Sequence, residues 1–257
     1  MPKRWRLDGQ TALITGASRG IGWACAREFA ELGANLLLVA RDEDQLERAA
    51  VELGEEYGAL RIETLSADLS EGEGRAAVMD WLVELRCELH ILVNNVGNNL
   101  PRAALAYTDA DLRQIFATNV SSAFELSRIA HRWLVQHANA SIVNVASVSG
   151  LTHVRTGAAY GMSKAALVQM TRNLACEWAT DGIRVNAVAP WYIRTQRSAA
   201  ALSDPDYLEE VLSRTPAARI GEPEDVAAAI TFLSLPCASY ITGECIAVDG
   251  GFLKYGF

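Results

Sequence analysis

A tyrosine and a lysine stand four residues apart in the stretch GAAYGMSKAAL, at Tyr160 and Lys164. Four residues span about one turn of a helix, so the two side chains would share a helical face. A phenol with a pKa of about 10 exchanges protons poorly at neutral pH, and a nearby ammonium lowers that pKa by stabilising the phenolate. The pair indicates a proton donor and acceptor. Taken alone, a surface tyrosine beside a solvated lysine is the commoner arrangement.

Two polar residues upstream strengthen the catalytic interpretation. Ser147 precedes Tyr160 by thirteen residues and follows an apolar run, and Asn119 lies within a predicted helical region. By itself, Ser147 would most often be a hydroxyl at a strand end, and Asn119 a helix cap. The sequence VASVS around Ser147 is not the G-x-S-x-G turn of a hydrolase nucleophile.

A second constellation is the glycine-rich stretch TGASRGIG, from Thr15 to Gly22. Its glycines, Gly16, Gly20 and Gly22, lie where an apolar strand gives way to a helix. Glycine allows a sharp turn and lets a pyrophosphate approach the N–H groups at the start of a helix. The position between the first strand and the first helix is the context that such a site requires. The alternative is a glycine-rich turn that binds nothing.

The elements that would position these residues alternate along the whole chain. Short continuous apolar runs are typical of strands covered on both faces, and the longer stretches between them have helical periodicity. The pattern predicts an α/β fold, a Rossmann-type doubly wound sheet of seven parallel strands with helices on both faces, in a single domain over residues 1–257. Strands are predicted at 11–16, 35–40, 61–69, 89–97, 140–147, 183–190 and 244–251, and helices at 20–34, 43–58, 73–86, 109–137 (with a break near Asn119) and 158–179.

Composition excludes several classes of function. The formal net charge of the 257 residues is −8, so there is no basic surplus for binding nucleic acid or an anionic membrane. The first ten residues lack the apolar core of a signal peptide, and no apolar run is long enough to span a bilayer. The five cysteines are expected to be free thiols, and the four histidines have no metal-ligand spacing. We therefore expect a cytoplasmic protein without a metal.

Several motifs together resemble the short-chain dehydrogenase/reductase family, over nearly the whole chain. TGASRGIG is similar to the family's TGxxxGIG, and NNVG (94–97) to its NNAG. Asn119, Ser147, Tyr160 and Lys164 follow the family's catalytic order and spacing. PWYIRT (190–195) stands where the family has PGxIxT, and YITGECIAVDGG (240–251) matches its last strand. The two ends of the chain are most similar to the tropinone-reductase-like group.

The resemblance implies an NAD(P)-dependent oxidoreductase that acts on a carbonyl or an alcohol, usually as a homotetramer. Tyr160 would be the acid in reduction and the base in oxidation. Lys164 would bind the hydroxyls of the nicotinamide ribose, and Ser147 would hydrogen-bond the substrate oxygen. Asn119 would hold a water that connects Lys164 to solvent. The implied cofactor contacts are Gly16, Ser18, Arg19, Gly20, Ile21 and Gly22 at the pyrophosphate, Asp68 and Leu69 at the adenine, Asn95 and Gly97 beneath the adenosine ribose, and Pro190, Ile193 and Thr195 at the carboxamide.

The end of the second predicted strand bears on the choice of cofactor. A carboxylate there binds the ribose 2′-hydroxyl of NAD, and arginine binds the 2′-phosphate of NADP. The sequence reads VARDED: the usual acidic position is the uncharged Ala40, followed by Arg41 and then Asp42. Arg41, with Arg19, favours NADP(H) over NAD(H), because arginine suits a bidentate phosphate contact. Asp42 leaves NAD open unless it caps a helix.

The substrate is predicted only as a small or cyclic ketone or its secondary alcohol. Candidate contacts besides Ser147 and Tyr160 are Ser149, Val154 and Trp191, and residues 191–216 would cover the pocket. Trp191 replaces the family's glycine and would form either a pocket wall or a support beneath the cover. A different function for the same fold would be a nucleotide-binding sensor with little turnover.

The predicted helix 158–179 carries an apolar stripe at Leu167, Met170, Leu174 and Trp178. The stripe would pack either on the sheet of its own chain or on a neighbouring subunit. The family resemblance favours the second arrangement and a homotetramer.

Overall fold

The computed structural model describes residues 2–86 and 88–255. The strands are β1 (Thr11–Thr15), β2 (Asn35–Ala40), β3 (Ile62–Ser66), β4 (Ile91–Asn94), β5 (Ala140–Val145), β6 (Ile183–Pro190) and β7 (Cys245–Val248). They form one seven-stranded sheet in the order β3-β2-β1-β4-β5-β6-β7, with every neighbouring pair parallel. The predicted parallel sheet is confirmed, and each predicted strand is found. The predictions at 61–69, 89–97 and 244–251 ran into loops that follow the strands.

Helices cover both faces of the sheet. They are α1 (Gly20–Glu31), α2 (Glu43–Glu56), α3 (Gly72–Leu85), α4 (Asp109–Phe116), α5 (Ser122–Leu134), α6 (Ala158–Glu177), α7 (Gln196–Leu202), α8 (Pro205–Ser213) and α9 (Pro223–Ser234). One buried cluster joins Leu36 and Leu38 of β2 to α1, α2 and α9. Another joins Leu37 to α3, α5 and α6. Successive strand residues thus bury opposite faces, as the pleat requires.

The predicted break in the helix at 109–137 is present. Between α4 and α5 the backbone forms a π-helical segment, Ala117–Ser121, and the N–H of Ser122 donates to the carbonyl of Ala117. The buried Asn119 lies at its centre. Such π segments interrupt α-helices frequently at functional sites.

A buried polar network fixes the middle of the sheet against α5 and α6. The amide of Asn94 donates to Ser127 (3.1 Å) and Asn144 (2.9 Å), and Asn144 donates to Thr171 (2.9 Å). Satisfied buried networks of this kind give neighbouring elements one fixed register. The network therefore holds α6 in place relative to the strand ends.

The stripe on α6 packs on the sheet of its own chain. Leu167, Leu174 and Trp178 are only 1%, 4% and 8% exposed, and Met170 packs partly buried against the same clusters. Three of the four side chains are therefore covered by their own chain and give no support for a neighbouring subunit, whereas Met170 keeps part of its surface exposed. The homotetramer itself stays a prediction.

No helix among the described residues is long and apolar enough to cross a membrane. Cys25, Cys176, Cys237 and Cys245 are free thiols, and Cys87 lies outside the described residues. The predicted cover, 191–216, contains α7 and α8.

Candidate active site

The glycine-rich loop lies between β1 and α1, at the carboxyl edge of the sheet. Gly16 has φ 66°, in the left-handed region that favours glycine, and a Cβ on Gly22 would lie 2.2 Å from the Gly16 carbonyl oxygen. The Asn95 amide donates to the carbonyls of Thr15 (2.9 Å) and Gly16 (3.2 Å), which ties the end of β4 to the loop. The result is a tight turn without side chains at the start of a helix, which fits the pyrophosphate of a dinucleotide.

Lys164 is buried on α6 beneath this edge. Its Nζ donates to the Val145 carbonyl (2.8 Å) and lies 5.7 Å from the centre of the Tyr160 ring. A Cβ added to Gly97 would lie 3.1 Å from Nζ, so the glycine leaves open the space that a ribose hydroxyl would need. Burial, and then the charge of Arg197, lower the pKa of Lys164 to about 7. Near neutral pH the amine and ammonium forms of Lys164 are therefore both populated.

Tyr160 differs electrostatically from the sequence-based expectation. Burial raises the pKa of its phenol, and the charge of Arg197 and a hydrogen bond with Ser147 only partly oppose that rise. The expected lowering by Lys164 does not govern the phenol, because the ammonium is itself desolvated and donates to Val145. Tyr160 therefore holds its proton at neutral pH, which suits a general acid.

Ser147 follows β5 and faces Tyr160. Its Oγ accepts a hydrogen bond from the backbone N–H of Ser149 (3.2 Å) and lies 3.3 Å from the Ser149 hydroxyl. The Ser149 hydroxyl in turn lies 3.1 Å from that of Thr156. These hydrogen bonds orient the Ser147 hydroxyl. Thr156 could not be predicted from the sequence, because its loop carries no motif.

Asn119 holds the loop after β4 against α6. Its amide donates to the Asn98 carbonyl (2.8 Å) and to the Ser163 hydroxyl (2.9 Å), and its Oδ1 accepts from the Asn98 N–H (2.6 Å). A Cβ on Gly97 would also lie 3.5 Å from Oδ1. Asn119 thus adjoins the space beside Lys164. The predicted water stays a prediction.

The end of β2 has the charges expected of an adenosine site. Arg41 is 74% exposed and its guanidinium lies 3.6 Å from the carboxylate of Asp68. Asp42 caps α2 by accepting from the N–H of Gln45 (3.0 Å). Burial would raise the pKa of Asp68, but hydrogen bonds from Ser70 and the charge of Arg41 lower it. Asp42 is therefore engaged as a helix cap, and Arg41 meets a residue predicted at the adenine.

The start of α7 closes over the cleft. Thr195 caps the helix, and a Cβ on Gly20 would lie 3.4 Å from its methyl group. Arg19 of the glycine loop donates to Gln196, and Arg197 donates to the Gly97 carbonyl. Gln196 and Arg197 were missed by sequence analysis, because nothing local indicates a contact across the cleft. Of the remaining implied contacts, Ile21 lies in the first turn of α1, Pro190 ends β6, and Ser18, Leu69 and Ile193 lie in loops.

Trp191 is held in a defined orientation at the end of β6. Its ring stacks on Phe252 with 3.8 Å between ring centroids and an interplanar angle of 7°. The indole N–H donates to the Thr215 hydroxyl (3.1 Å). The indole of Trp191 is thus held in one orientation between Thr215 of the cover and Phe252 of the C-terminal segment. Ser149 and Val154, the other predicted substrate contacts, line one surface depression beside α6.

A separate cluster lies at the amino edge of the sheet. Glu88, His90 and His137 bring their ligand atoms within 4.8 Å of one another, although the sequence indicated no metal spacing. The Thr11 N–H donates to Nδ1 of His90 (3.2 Å), so the proton of the neutral ring lies on Nε2, where a metal would have to bind. Metal-bound histidines instead donate their second ring N–H. The cluster is therefore a poor metal site.

The fold and this site define a Rossmann-type, NAD(P)-dependent oxidoreductase. A family model described as Enoyl-(Acyl carrier protein) reductase matches residues 16–253. Two tropinone reductase homologues of Arabidopsis thaliana are 43% and 44% identical, each over 99% of this chain and over 96% and 93% of their own lengths. The chain belongs to the short-chain dehydrogenase/reductase family.

Solved structures agree with this assignment. A gluconate 5-dehydrogenase from Burkholderia cenocepacia, in complex with NADP and tartrate, is 29% identical with a TM-score of 0.93, over 99% of both chains. A 7α-hydroxysteroid dehydrogenase, complexed with NADH and 7-oxo glycochenodeoxycholic acid, is 30% identical with a TM-score of 0.92, over 98% of this chain and 97% of the other. Relatives of this fold thus bind both NADP and NADH.

Proposed function

We propose that this protein is an NADP(H)-dependent oxidoreductase that interconverts a small or cyclic ketone and its secondary alcohol. The observation that supports the proposal is that Ser147, Tyr160 and Lys164 lie close together, beside a glycine loop that fits a dinucleotide. The names of the Arabidopsis relatives, tropinone reductase homologues, support a cyclic ketone as the kind of substrate.

The bound nicotinamide would supply the hydride in reduction and accept it in oxidation. In reduction, the Tyr160 hydroxyl donates its proton to the substrate oxygen, and Ser147 donates a hydrogen bond to the same oxygen as negative charge develops. In oxidation, Tyr160 takes the proton from the alcohol. Lys164 binds the nicotinamide ribose, and Asn119 holds the water through which the proton is replaced.

The test is NADPH consumption, followed by absorbance, with a panel of cyclic ketones of graded size. Turnover of at least one ketone is expected. Cofactor binding without turnover of any ketone, or of the matching alcohols with NADP⁺, would instead indicate a nucleotide-binding sensor.

Arg41 is expected to select NADPH over NADH. The capping role of Asp42 supports this preference, because that carboxylate is already engaged by Gln45. Replacing Arg41 with alanine should raise the KM for NADPH about tenfold, the scale of a hydrogen bond to a charged group, and leave the KM for NADH nearly unchanged. Steady-state kinetics with both cofactors measure this, and Arg48→Ala, at an exposed arginine on α2, is the matched control. Equal effects on both cofactors would mean that Arg41 does not contact the 2′-phosphate, and a wild-type preference for NADH would point to Asp42.

Trp191 is expected to limit the size of the ketone. Trp191→Ala should admit bulkier ketones and weaken kcat/KM for small ones by about 1–3 kcal/mol, the scale of lost pocket contacts. Phe252→Ala, which removes the stacking partner and keeps the indole, should have the same effect in weaker form. The measurement is kcat/KM over the graded ketone series with NADPH saturating. If wild type and Trp191→Ala rank the series identically, Trp191 only supports the cover.

A further inference from the structure

Two successive side chains at the start of α7 reach different parts of the cleft. Gln196 accepts a hydrogen bond from Arg19 of the glycine loop. Arg197 donates to the carbonyl of Gly97, in the loop after β4. Gln196 therefore faces the predicted pyrophosphate end, and Arg197 faces the end at which Tyr160 and Lys164 lie.

Arg197 brings a second positive charge to the catalytic pair. Gly97, its contact, adjoins the Lys164 ammonium, since a Cβ on Gly97 would lie 3.1 Å from Nζ. This charge acts on both catalytic groups. Burial has the largest effect on the pKa of Lys164 and of Tyr160, and the charge of Arg197 has the second largest and lowers both pKa values.

No anion balances this charge within the described part of the chain. Arg194, three residues earlier, pairs with Glu222 (3.0 Å), and Arg155 pairs with Glu210 of α8. Across residues 2–86 and 88–255, Arg197 has no carboxylate within ion-pair distance and makes its hydrogen bond to a neutral carbonyl. A planar guanidinium that is hydrogen-bonded only to a carbonyl keeps its capacity for a bidentate anion.

We propose that Arg197 binds a carboxylate of the substrate, so that the protein prefers ketones that carry a carboxylate a few atoms from the carbonyl. This inference rests on the proposed function and narrows its substrate class to keto acids and the corresponding hydroxy acids. A carboxylate at this position would neutralise Arg197 beside Lys164 and would fix the carbonyl relative to Tyr160. Arg197 would thus determine specificity, and the proton transfer would stay with Tyr160.

The test compares one ketone with and without the charge. With NADPH saturating, kcat/KM is measured for 4-oxocyclohexanecarboxylate and for its methyl ester. Wild type should prefer the acid. Because Arg197→Met also alters the charge beside Tyr160 and Lys164, the readout is the ratio of the two kcat/KM values: the preference for the acid over the ester should fall about tenfold or more, the scale of a charge-assisted hydrogen bond. Arg197→Lys should retain part of the preference, and Arg214→Met, an exposed arginine at the end of α8, is the control and should retain all of it.

Two binding measurements separate this proposal from the others. NADPH affinity, followed by its fluorescence, should be the same in wild type and Arg197→Met; a loss of affinity together with equal losses for acid and ester would make Arg197 a cofactor contact and overturn the proposal.

Cyclohexanecarboxylate, which cannot be reduced, should bind the NADPH complex of wild type about tenfold more tightly than that of Arg197→Met. That result without turnover of any ketone would overturn the proposed function and keep the carboxylate site. Absence of this binding in wild type, or equal binding by both proteins, would overturn the carboxylate site.

Discussion

Replacing Tyr160 with phenylalanine is expected to reduce ketone turnover at least ~100-fold, the usual scale for losing a general acid. The substitution removes one hydroxyl and keeps the ring that packs beside Lys164. Because burial raises the pKa of Tyr160, the phenol is protonated throughout the neutral range and is available as an acid. The measurement is single-turnover reduction of a ketone with bound NADPH.

Cofactor binding and direction of reaction provide the controls. NADPH affinity should change little in Tyr160→Phe, and Tyr240→Phe, at a fully exposed tyrosine, should leave turnover unchanged. The role of the phenol fixes the sign of the pH dependence: alcohol oxidation needs the phenolate, so its rate should rise with pH, and ketone reduction should slow at high pH. The raised pKa of Tyr160 places both changes above the neutral range. Retained turnover in Tyr160→Phe would remove Tyr160 from the mechanism.

The features that the sequence predicts correctly are those carried by local patterns. Continuous apolar runs predicted the five inner strands, β1, β2, β4, β5 and β6, because a strand covered on both faces has no polar side. The two edge strands, β3 and β7, are only partly buried, and they were predicted from their place in the alternation of strands and helices. The spacing of Tyr160 and Lys164 predicted a shared helical face, and the glycine spacing predicted a turn before α1. Element ends were less accurate, because the loops after β3, β4 and β7 continue without a clear change of composition.

Features that depend on distant contacts could not be predicted. The bond from Arg197 to Gly97 joins positions 100 residues apart, and nothing in the sequence around either residue indicates it. The pKa of Tyr160 moves opposite to the expectation because helical spacing reports a neighbour and not burial. The stripe on α6 predicted an apolar face correctly, but an apolar face does not say which surface covers it.

Asp42 had two interpretations in the sequence, and the structure supports one of them, the helix cap. In the sequence, a carboxylate after β2 fitted either an NAD site or a helix cap. The hydrogen bonds from the backbone and side chain of Gln45, at 3.0 and 2.6 Å, establish the cap. The same geometry places Arg41 beside Asp68, which brings two predicted cofactor contacts together.

The buried ammonium of Lys164 is expected to lower the free energy of unfolding of the cofactor-free protein. Its pKa falls from an ordinary 10.5 to about 7, because burial and the charge of Arg197 oppose the ammonium form. Below pH 7 the folded protein carries the full cost of the buried charge. Between pH 7 and 10.5 the unfolded chain binds more protons than the folded one, so this group makes stability rise with pH.

Lys164→Met is therefore expected to change stability and function in opposite directions at neutral and lower pH. The variant should melt at a higher temperature than wild type at pH 6, and its advantage should shrink as pH rises, since wild type alone gains stability from deprotonation. The Val145 carbonyl loses its donor in the variant, which offsets part of the gain at every pH. NADPH affinity should fall, and turnover should fall about 10²-fold or more, because the ribose contact that positions the nicotinamide is lost.

The measurement is the melting temperature of wild type and Lys164→Met across pH 6–10, without cofactor, with NADPH affinity determined in parallel. All other titrating groups are common to both proteins, so the difference between the two curves isolates Lys164. Lys254→Met, at an exposed lysine, should give a curve that follows wild type. Parallel curves for wild type and Lys164→Met would show that the amine does not titrate near pH 7, and Lys164 would then act as a fixed ammonium in both the free and the cofactor-bound protein.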